Sequence, residues 1–462
     1  MSSRLSPRTA VLILADLLII YAGMMIGLYL RLGLDGLSEQ LVEKNGLSKV
    51  TLATFVCLIS LYIFDVYDYT VVNSRRELVL RLVQALGVTW VVLAVLFYFV
   101  PSLMVGRGIA VSSIFITLAL LLSFRISIHY LLGHPELGEK ILIIGDTQVI
   151  NDTEQAANMR RDAGHRIVGF LTNSINLNNS GALNLKSLGS VDELEEVVEQ
   201  EKIGRIILGT KERRGAFPAD ALLRLRLAGN VTIEESTSFF ERVTGKVHLD
   251  NLRPSWLIFS IRPRDTRIKT FTREFLYRSL ALIGMILSAP IAIIVAVLIK
   301  LESKGPALYK QIRVGKNGRE FTLYKFRSMK IDAEADGSPV WAIDGDDRTT
   351  RVGKFIRKVR LDEIPQFWNI LRGEMSFTGP RPERPHFVAQ LAKDIPFYEY
   401  RHLVAPGLTG WAQINYPYGS SVEDARQKLQ YDLYYIKNQT FALDIIIMFE
   451  TVKTVLFGRG GR

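Results

Sequence analysis

The sequence predicts a membrane α-helical N-terminal bundle (residues 1–135), a central α/β Rossmann-like domain (136–260) and a C-terminal α/β catalytic domain (261–462). Three observations carry this reading. Four apolar runs fill the N-terminal third, strand and helix patterns alternate through the middle, and charged motifs punctuated by Gly and Pro crowd the region after a fifth apolar run. A chain of 462 residues is long for one domain, and a hydrophobic content of 48% with mean hydropathy of +0.18 is high for a soluble enzyme. The net charge of +11 calls for an anionic partner. Apolar runs beside that charge favour lipid and phosphorylated substrates over nucleic acid. The single cysteine, Cys57, excludes an internal disulfide and belongs to no metal-ligand spacing.

Thr9 to Leu30 is the first apolar run, interrupted only by Asp16. A spanning helix needs ~20 apolar residues, and this run qualifies. Val50–Phe64, Leu78–Val100 (stopped by Pro101) and Ile109–Leu132 follow. Four spans place both ends of the bundle on one side. Arg4, Arg8, Arg75, Arg76, Arg81, Arg125 and His129 mark that side as cytoplasmic by the positive-inside rule. Asp16 finds no matching basic residue deep in another span, which predicts an interhelical hydrogen bond or a position near the interface.

Four strands are expected in the middle: Lys140–Gly145, Arg166–Leu171, Arg205–Leu208 and Val231–Glu234, separated by helical segments. Their alternation argues for a parallel sheet. The first strand ends in Gly145-Asp146-Thr147-Gln148-Val149-Ile150, without the second and third glycines that let a pyrophosphate approach the backbone. A structural or regulatory domain is therefore preferred to a cofactor site. Asn173 to Leu185 reads as a surface loop.

A basic linker (Arg262, Arg264, Arg267, Lys269, Arg273, Arg278) leads into the apolar segment Leu280–Ile299, which has Pro290 at its centre. Basic residues at both ends and a helix-kinking proline predict a bent, re-entrant helix near 276–300 that enters and leaves by one membrane face. Phe321 to Met329 alternates as a strand, with Lys325 and Arg327 on one face and able to grip a diphosphate. Phe441–Leu456 reads as an amphipathic interfacial helix and Gly458–Arg462 as a basic tail.

Between them lies Arg357-Lys358-Val359-Arg360-Leu361-Asp362-Glu363-Ile364-Pro365-Gln366. An Asp-Glu pair before a helix is ordinarily a cap and a dipole partner. Here Asp362 is expected to be the N-cap, with Pro365 in the first turn, Gln366–Leu371 as the helix and Gly373 as its stop. The nearby cations are expected to keep Asp362 ionised and to attract a polyanionic substrate. Two prolines hold Arg381 within Gly379-Pro380-Arg381-Pro382-Glu383.

Four segments in order resemble one family: Lys325-Phe326-Arg327-Ser328-Met329, Asp362-Glu363-Ile364-Pro365-Gln366, Gly379-Pro380-Arg381-Pro382-Glu383 and Pro406-Gly407-Leu408-Thr409-Gly410-Trp411. The chain is identified by them as a member of the bacterial sugar transferases, the monotopic polyprenyl-phosphate phosphoglycosyl transferases. The spans and middle domain are similar to its large, exopolysaccharide- and exosortase-associated members. The resemblance implies that Asp362 attacks a UDP-sugar, releasing UMP, and that undecaprenyl phosphate then takes the phosphosugar in a ping-pong reaction. It implies that Glu363 completes the dyad, that Mg²⁺ is required at Asp362 and Glu363, and that Lys325, Arg327, Arg360, Arg381, Glu383 and Asp432 serve the substrate. Pro290 matches the proline that bends the re-entrant helix, although Ala289 stands where many members carry Ser. The implied setting is the bacterial inner membrane, as a homodimer, with the catalytic domain facing the cytoplasm. The competing reading is a non-catalytic scaffold for polysaccharide assembly.

Overall fold

The computed structural model describes residues 7–42, 45–64, 66–67, 75–104, 106–132, 139–159, 165–172, 185–209, 218–229, 231–249, 252, 267–330, 348–417, 419 and 421–456. Arg4, Arg262, Arg264, most of the Asn173–Leu185 loop and the Gly458–Arg462 tail lie outside them. The chain forms two compact units, residues 3–239 and 240–462.

In the first unit the apolar runs are helices: α1 (Pro7–Val42), α2 (Gly46–Ile63), α3 (Arg75–Phe99) and α4 (Arg107–Leu132). All four are long and apolar enough to cross a membrane. α1 and α4 approach closely because they meet at small residues. A Cβ on Gly23 would lie 2.5 Å from Thr117 Oγ1, and one on Gly27 2.3 Å from Ser113 Oγ. Asp16 makes the expected interhelical hydrogen bond, and the correction is that its partner is basic. Arg125 of α4 donates to its Oδ2 at 2.6 Å, and both side chains are buried. Arg125 was counted as a flanking charge, yet α4 continues past it to Leu132 and carries it into the bundle.

The sheet of the same unit comprises β1 (Glu139–Gly145), β2 (His165–Leu171), β3 (Arg205–Gly209) and β4 (Thr232–Glu235). All neighbours are parallel, in the order β2-β1-β3-β4. Leu142, Ile144, Leu171 and Ile206 form its core with Leu194, Val198 and Leu222 from the covering helices. The turn after β1 is closed by packing. Asp146 Oδ1 accepts from Val149 N at 3.0 Å, and a Cβ on Gly209 would strike Val149 Cγ1 at 2.0 Å. The two strand-end glycines thus admit the following helix, α5 (Thr147–Met159), close against the sheet.

The second unit begins inside the helix Ser236–Thr244. Val247 and Leu249 join a core with Trp411, Leu429, Tyr434 and Tyr435, and Trp411 Nε1 donates to Gly245 O at 2.8 Å. The fifth apolar run is one helix from Arg267 to Glu302, 36 residues long, with Pro290 inside it. Ser288 Oγ reaches back to Met285 O at 3.4 Å, one residue before the Ala289 that replaces the expected serine. β5 (Leu308–Val314) and β6 (Glu320–Phe326) form an antiparallel hairpin. β7 (Ser376–Thr378) and β8 (Gly407–Thr409) pair in parallel. The expected strand therefore stops at Phe326, before Arg327. The core is closed by the helices Val422–Asn438 and Phe441–Leu456.

Candidate active site

The dyad sits differently from a simple helix cap. Arg360 takes the left-handed conformation (φ 58°), and Leu361–Glu363 then forms a single 3-10 turn that leads through Ile364 and Pro365 into the helix Gln366–Leu371. Arg360 therefore holds the cap position, and Asp362 lies inside the turn. The proline loses nothing there, since its position precedes the first intrahelical donors. Gly373 (φ +75°) ends the helix as expected. Its N–H donates to Ile370 O at 2.9 Å, and Glu374 N donates to Asn369 O at 3.0 Å, the paired bonds of a Schellman stop.

Asn369, fully buried, ties this helix to β6. Its Nδ2 donates to Thr322 O at 2.7 Å, and its Oδ1 accepts from Tyr324 N at 3.2 Å. The residue after that anchor on β6 is Lys325, whose Nζ lies 3.4 Å from Glu363 Oε1. Arg360 Nη1 is 3.4 Å from Glu363 Oε2, and Arg381 Nη2 is 3.3 Å from Oε1. Three cations from three segments converge on one buried carboxylate. Burial opposes ionisation of Glu363, but Lys325, Arg381 and Arg360 outweigh it and hold the carboxyl down at about 2.

The cations gather on Glu363, not on Asp362. Asp362 is 8% exposed and, among the described residues, makes no side-chain hydrogen bond or ion pair. Burial raises its pKa above the ordinary carboxylate value; Lys325 pulls it down, and the Glu363 charge beside it pushes it up again. The expected cations do pull Asp362 toward its ionised form, while their ion pairs are made to Glu363. Burial likewise lowers the Lys325 ammonium against the pull of Glu363.

The other residues named from the sequence stand outside this knot. Arg327 is buried, its Nη1 donating to Lys304 O at 2.8 Å and its Nη2 to Ser303 O at 2.9 Å, so it caps the C-terminal end of the long apolar helix. Glu383 pairs with Arg313 at 3.5 Å. Asp432, 1% exposed, pairs with Arg401 at 2.9 Å, and burial pushes it up to about 6 against that arginine's pull. Sequence reading missed Arg401 and Gln413, whose Oε1 accepts from Arg381 Nη1 at 2.9 Å. Gln413 lies just past the Pro406–Trp411 motif, and Arg401 stands among Glu399 and His402 with no local sign of its distant partner.

No group of three His, Cys, Asp or Glu side chains able to hold a metal occurs among the described residues. The dyad supplies two carboxylates, a donor set that suits a hard ion completing its shell with phosphate oxygens and water.

Comparison with known proteins agrees with the motifs. A model of the bacterial sugar transferase family matches residues 268–458, and a model described as a CoA-binding domain matches 62–210. An Aeromonas hydrophila UDP-N-acetylgalactosamine-undecaprenyl-phosphate N-acetylgalactosaminephosphotransferase is 46% identical over 241 residues, covering 52% of this chain and 56% of that protein. An undecaprenyl-phosphate glucose phosphotransferase of Komagataeibacter xylinus is 34% identical over 345 residues (71% of this chain, 62% of its own). An exopolysaccharide production protein of Rhizobium leguminosarum bv. phaseoli is 38% identical over 184 residues, 38% of this chain but 90% of that protein. The aligned stretch thus spans little more than half the length of the first two relatives. The last of the three is matched over nine-tenths of its length, and the chain belongs to the bacterial sugar transferase family, the polyprenyl-phosphate phosphoglycosyl transferases.

Proposed function

We propose that this protein transfers a phosphosugar from a UDP-sugar to undecaprenyl phosphate at a membrane surface, through a covalent intermediate on Asp362. The observation that carries the reading is the unpaired Asp362 carboxylate beside a glutamate on which Lys325, Arg360 and Arg381 converge. A carboxylate without an ion-pair partner keeps its lone pairs for attack, and three cations against one bound carboxylate leave positive charge for a diphosphate.

In the first half-reaction an Asp362 oxygen attacks the sugar-bearing phosphorus. The bond from that phosphorus to the bridging oxygen breaks, UMP leaves with the electron pair, and an acyl phosphodiester to the sugar forms. Lys325, Arg360 and Arg381 neutralise the charge that grows on the departing phosphate. In the second half-reaction a phosphate oxygen of undecaprenyl phosphate attacks the same phosphorus, and the Asp362 carboxylate leaves. Asp362 and Glu363 would hold Mg²⁺, which when bound supplies further neutralisation of the diphosphate. The names of the Aeromonas and Komagataeibacter relatives support both substrates.

The helix Arg267–Glu302 supports a re-entrant reading because both of its halves dock on the same unit. Tyr277 OH bonds Asp444 Oδ2 at 2.6 Å, and Ala281 packs with Leu323, Ile370 and Met375. Further on, Val295 and Ile299 pack with Phe326 and Ile356. Between them Ile286, Leu287, Ile293 and Ile294 are exposed. A helix of this length is about 54 Å long, well beyond a hydrocarbon core of about 30 Å, and docking of both halves on one unit favours a return to the same face over a simple span, although the helix is long and apolar enough to span. The basic residues that flank the apolar runs support a cytoplasmic-facing catalytic unit at the bacterial inner membrane.

The test is release of UMP by purified protein given Mg²⁺, undecaprenyl phosphate and a panel of UDP-sugars. Lipid-dependent UMP release that is lost in Asp362→Asn is expected. Absence of UMP with every donor would overturn the reading, as would an Asp362→Asn protein that still restores polysaccharide in a deletion strain.

A further inference from the structure

Arg381 carries one of the three cations of the site, yet it belongs to a segment with few means of being held. Pro380 and Pro382 have no N–H to donate, so at those two residues the backbone can be fixed only through the carbonyls. Each of those carbonyls has a donor. Gly407 N donates to Pro380 O at 2.9 Å, Arg313 Nη1 to Pro382 O at 3.0 Å, and Val314 N to Glu383 O at 2.9 Å. The carbonyl of Arg381 itself accepts from Arg401 Nη2 at 3.1 Å.

Arg401 is buried and triply engaged. Besides that carbonyl it meets Asp432 Oδ2 at 2.9 Å through Nη2 and the Tyr398 hydroxyl at 2.6 Å through Nη1. At the other end of Arg381, Gln413 Oε1 accepts from Nη1 at 2.9 Å while Nη2 meets Glu363. The chain Asp432–Arg401–Arg381–Glu363 is thus continuous from the protein core to the dyad. A fully buried ion pair is a poor source of stability, since desolvation offsets most of its attraction and apolar residues of similar volume do as well. Its value lies in directing the Arg401 guanidinium onto one backbone oxygen.

We infer that Arg401, oriented by Asp432 and Tyr398, is a positioning residue that sets Arg381 against the diphosphate of the substrate, and that Asp432 acts through Arg401 without touching substrate. The inference rests on the proposed phosphosugar transfer for its diphosphate and replaces the substrate-facing role that family resemblance gives Asp432.

A double-mutant cycle tests it. Asp432→Asn, which is isosteric, is measured alone and in an Arg381→Ala background, with two readouts: affinity for UDP as the diphosphate probe, and kcat/KM for UMP release. Alone, Asp432→Asn is expected to weaken both about 5- to 10-fold, the range of coupling between residues of one network. In the Arg381→Ala background it is expected to cost less than about twofold further, because the residue through which it acts is gone. Equal losses in the two backgrounds would overturn the inference and leave Asp432 either a substrate contact or a core ion pair. Tyr398→Phe removes only a hydroxyl and keeps the ion pair. It must show the same pattern at smaller size, which decides the question if Asp432→Asn folds poorly. UDP binding without any UMP release would sink the proposed transfer while the affinity cycle still judges the positioning of Arg381. Failure of the wild-type protein to bind UDP at all would overturn the inference as well.

Discussion

Two carboxylates in the C-terminal unit, Glu363 and Asp444, are each met by groups from three separate segments, and they could hardly be more different. Glu363 faces three cations at 3.3–3.4 Å, and those cations remain 20–34% exposed. Asp444 is fully buried and accepts three hydroxyls instead: Tyr277 at 2.6 Å, Thr378 at 2.5 Å and Tyr435 at 2.7 Å. Long, partly solvated ionic contacts exchange partners at little cost, whereas short hydrogen bonds to a carboxylate in a dry core do not. The first arrangement suits a site that must hand its cations to an incoming anion. The second suits an anchor, joining the long apolar helix, β7 and the closing helix Phe441–Leu456. On the proposed function, the same residue chemistry serves reaction in one place and architecture in the other.

Substitutions should separate the two. Asp362→Asn has the largest expected effect, a fall in UMP release of about three orders of magnitude or more with folding intact, as follows when an interaction is made only in the transition state. Lys325→Ala and Arg381→Ala should each lower kcat/KM about 10- to 100-fold, the equivalent of losing one charge-assisted contact. Steady-state kinetics across the donor panel measures both. At the anchor the pattern should invert. Asp444→Ala removes the shared acceptor of three buried hydroxyls, of which Thr378 and Tyr435 keep each other, and should cost about 1–3 kcal/mol of stability, read as a lower unfolding midpoint, with little change in turnover per folded molecule. An Asp444→Ala protein that is stable but inactive would erase the distinction.

The pH profile sharpens the comparison within the dyad. Glu363, held at about 2, stays ionised through any practical acid range. Asp362 is raised above 3.8, so its nucleophilic form is lost first as pH falls, and the acid limb of adduct formation should lie above the ordinary carboxylate range. Glu363→Gln removes a neighbouring negative charge and frees cations for Asp362, which should move that limb to lower pH. A limb that stays put would detach Asp362 from its neighbour.

Much of this was legible in the sequence, for physical reasons that differ by region. The apolar runs became α1–α4 because hydropathy and length alone dictate such helices. β1–β4 followed from short aliphatic runs bounded by turn residues, and Gly373 stopped its helix because only a residue tolerant of positive φ fits there. Pairings between distant segments were not legible. Arg125 looked like a flanking charge and pairs with Asp16 across 109 positions. Arg327 shares the face of Lys325 in a strand pattern, but the strand ends at Phe326, and one residue of lost alternation turns it onto the helix end at Ser303. Arg401, in Tyr398-Glu399-Tyr400-Arg401-His402-Leu403, gives no local sign that it reaches the carbonyl of Arg381.

The central claim is that Asp362 bears the phosphosugar, and the most direct measurement is the intact-protein mass of purified enzyme incubated with Mg²⁺ and UDP-sugars in the absence of lipid acceptor. The account predicts a mass gain of one phosphosugar, localised to Asp362 by peptide mapping, absent in Asp362→Asn and discharged when undecaprenyl phosphate is added. Lipid-dependent UMP release with no adduct trapped under any quench would contradict it and point to direct transfer from donor to acceptor.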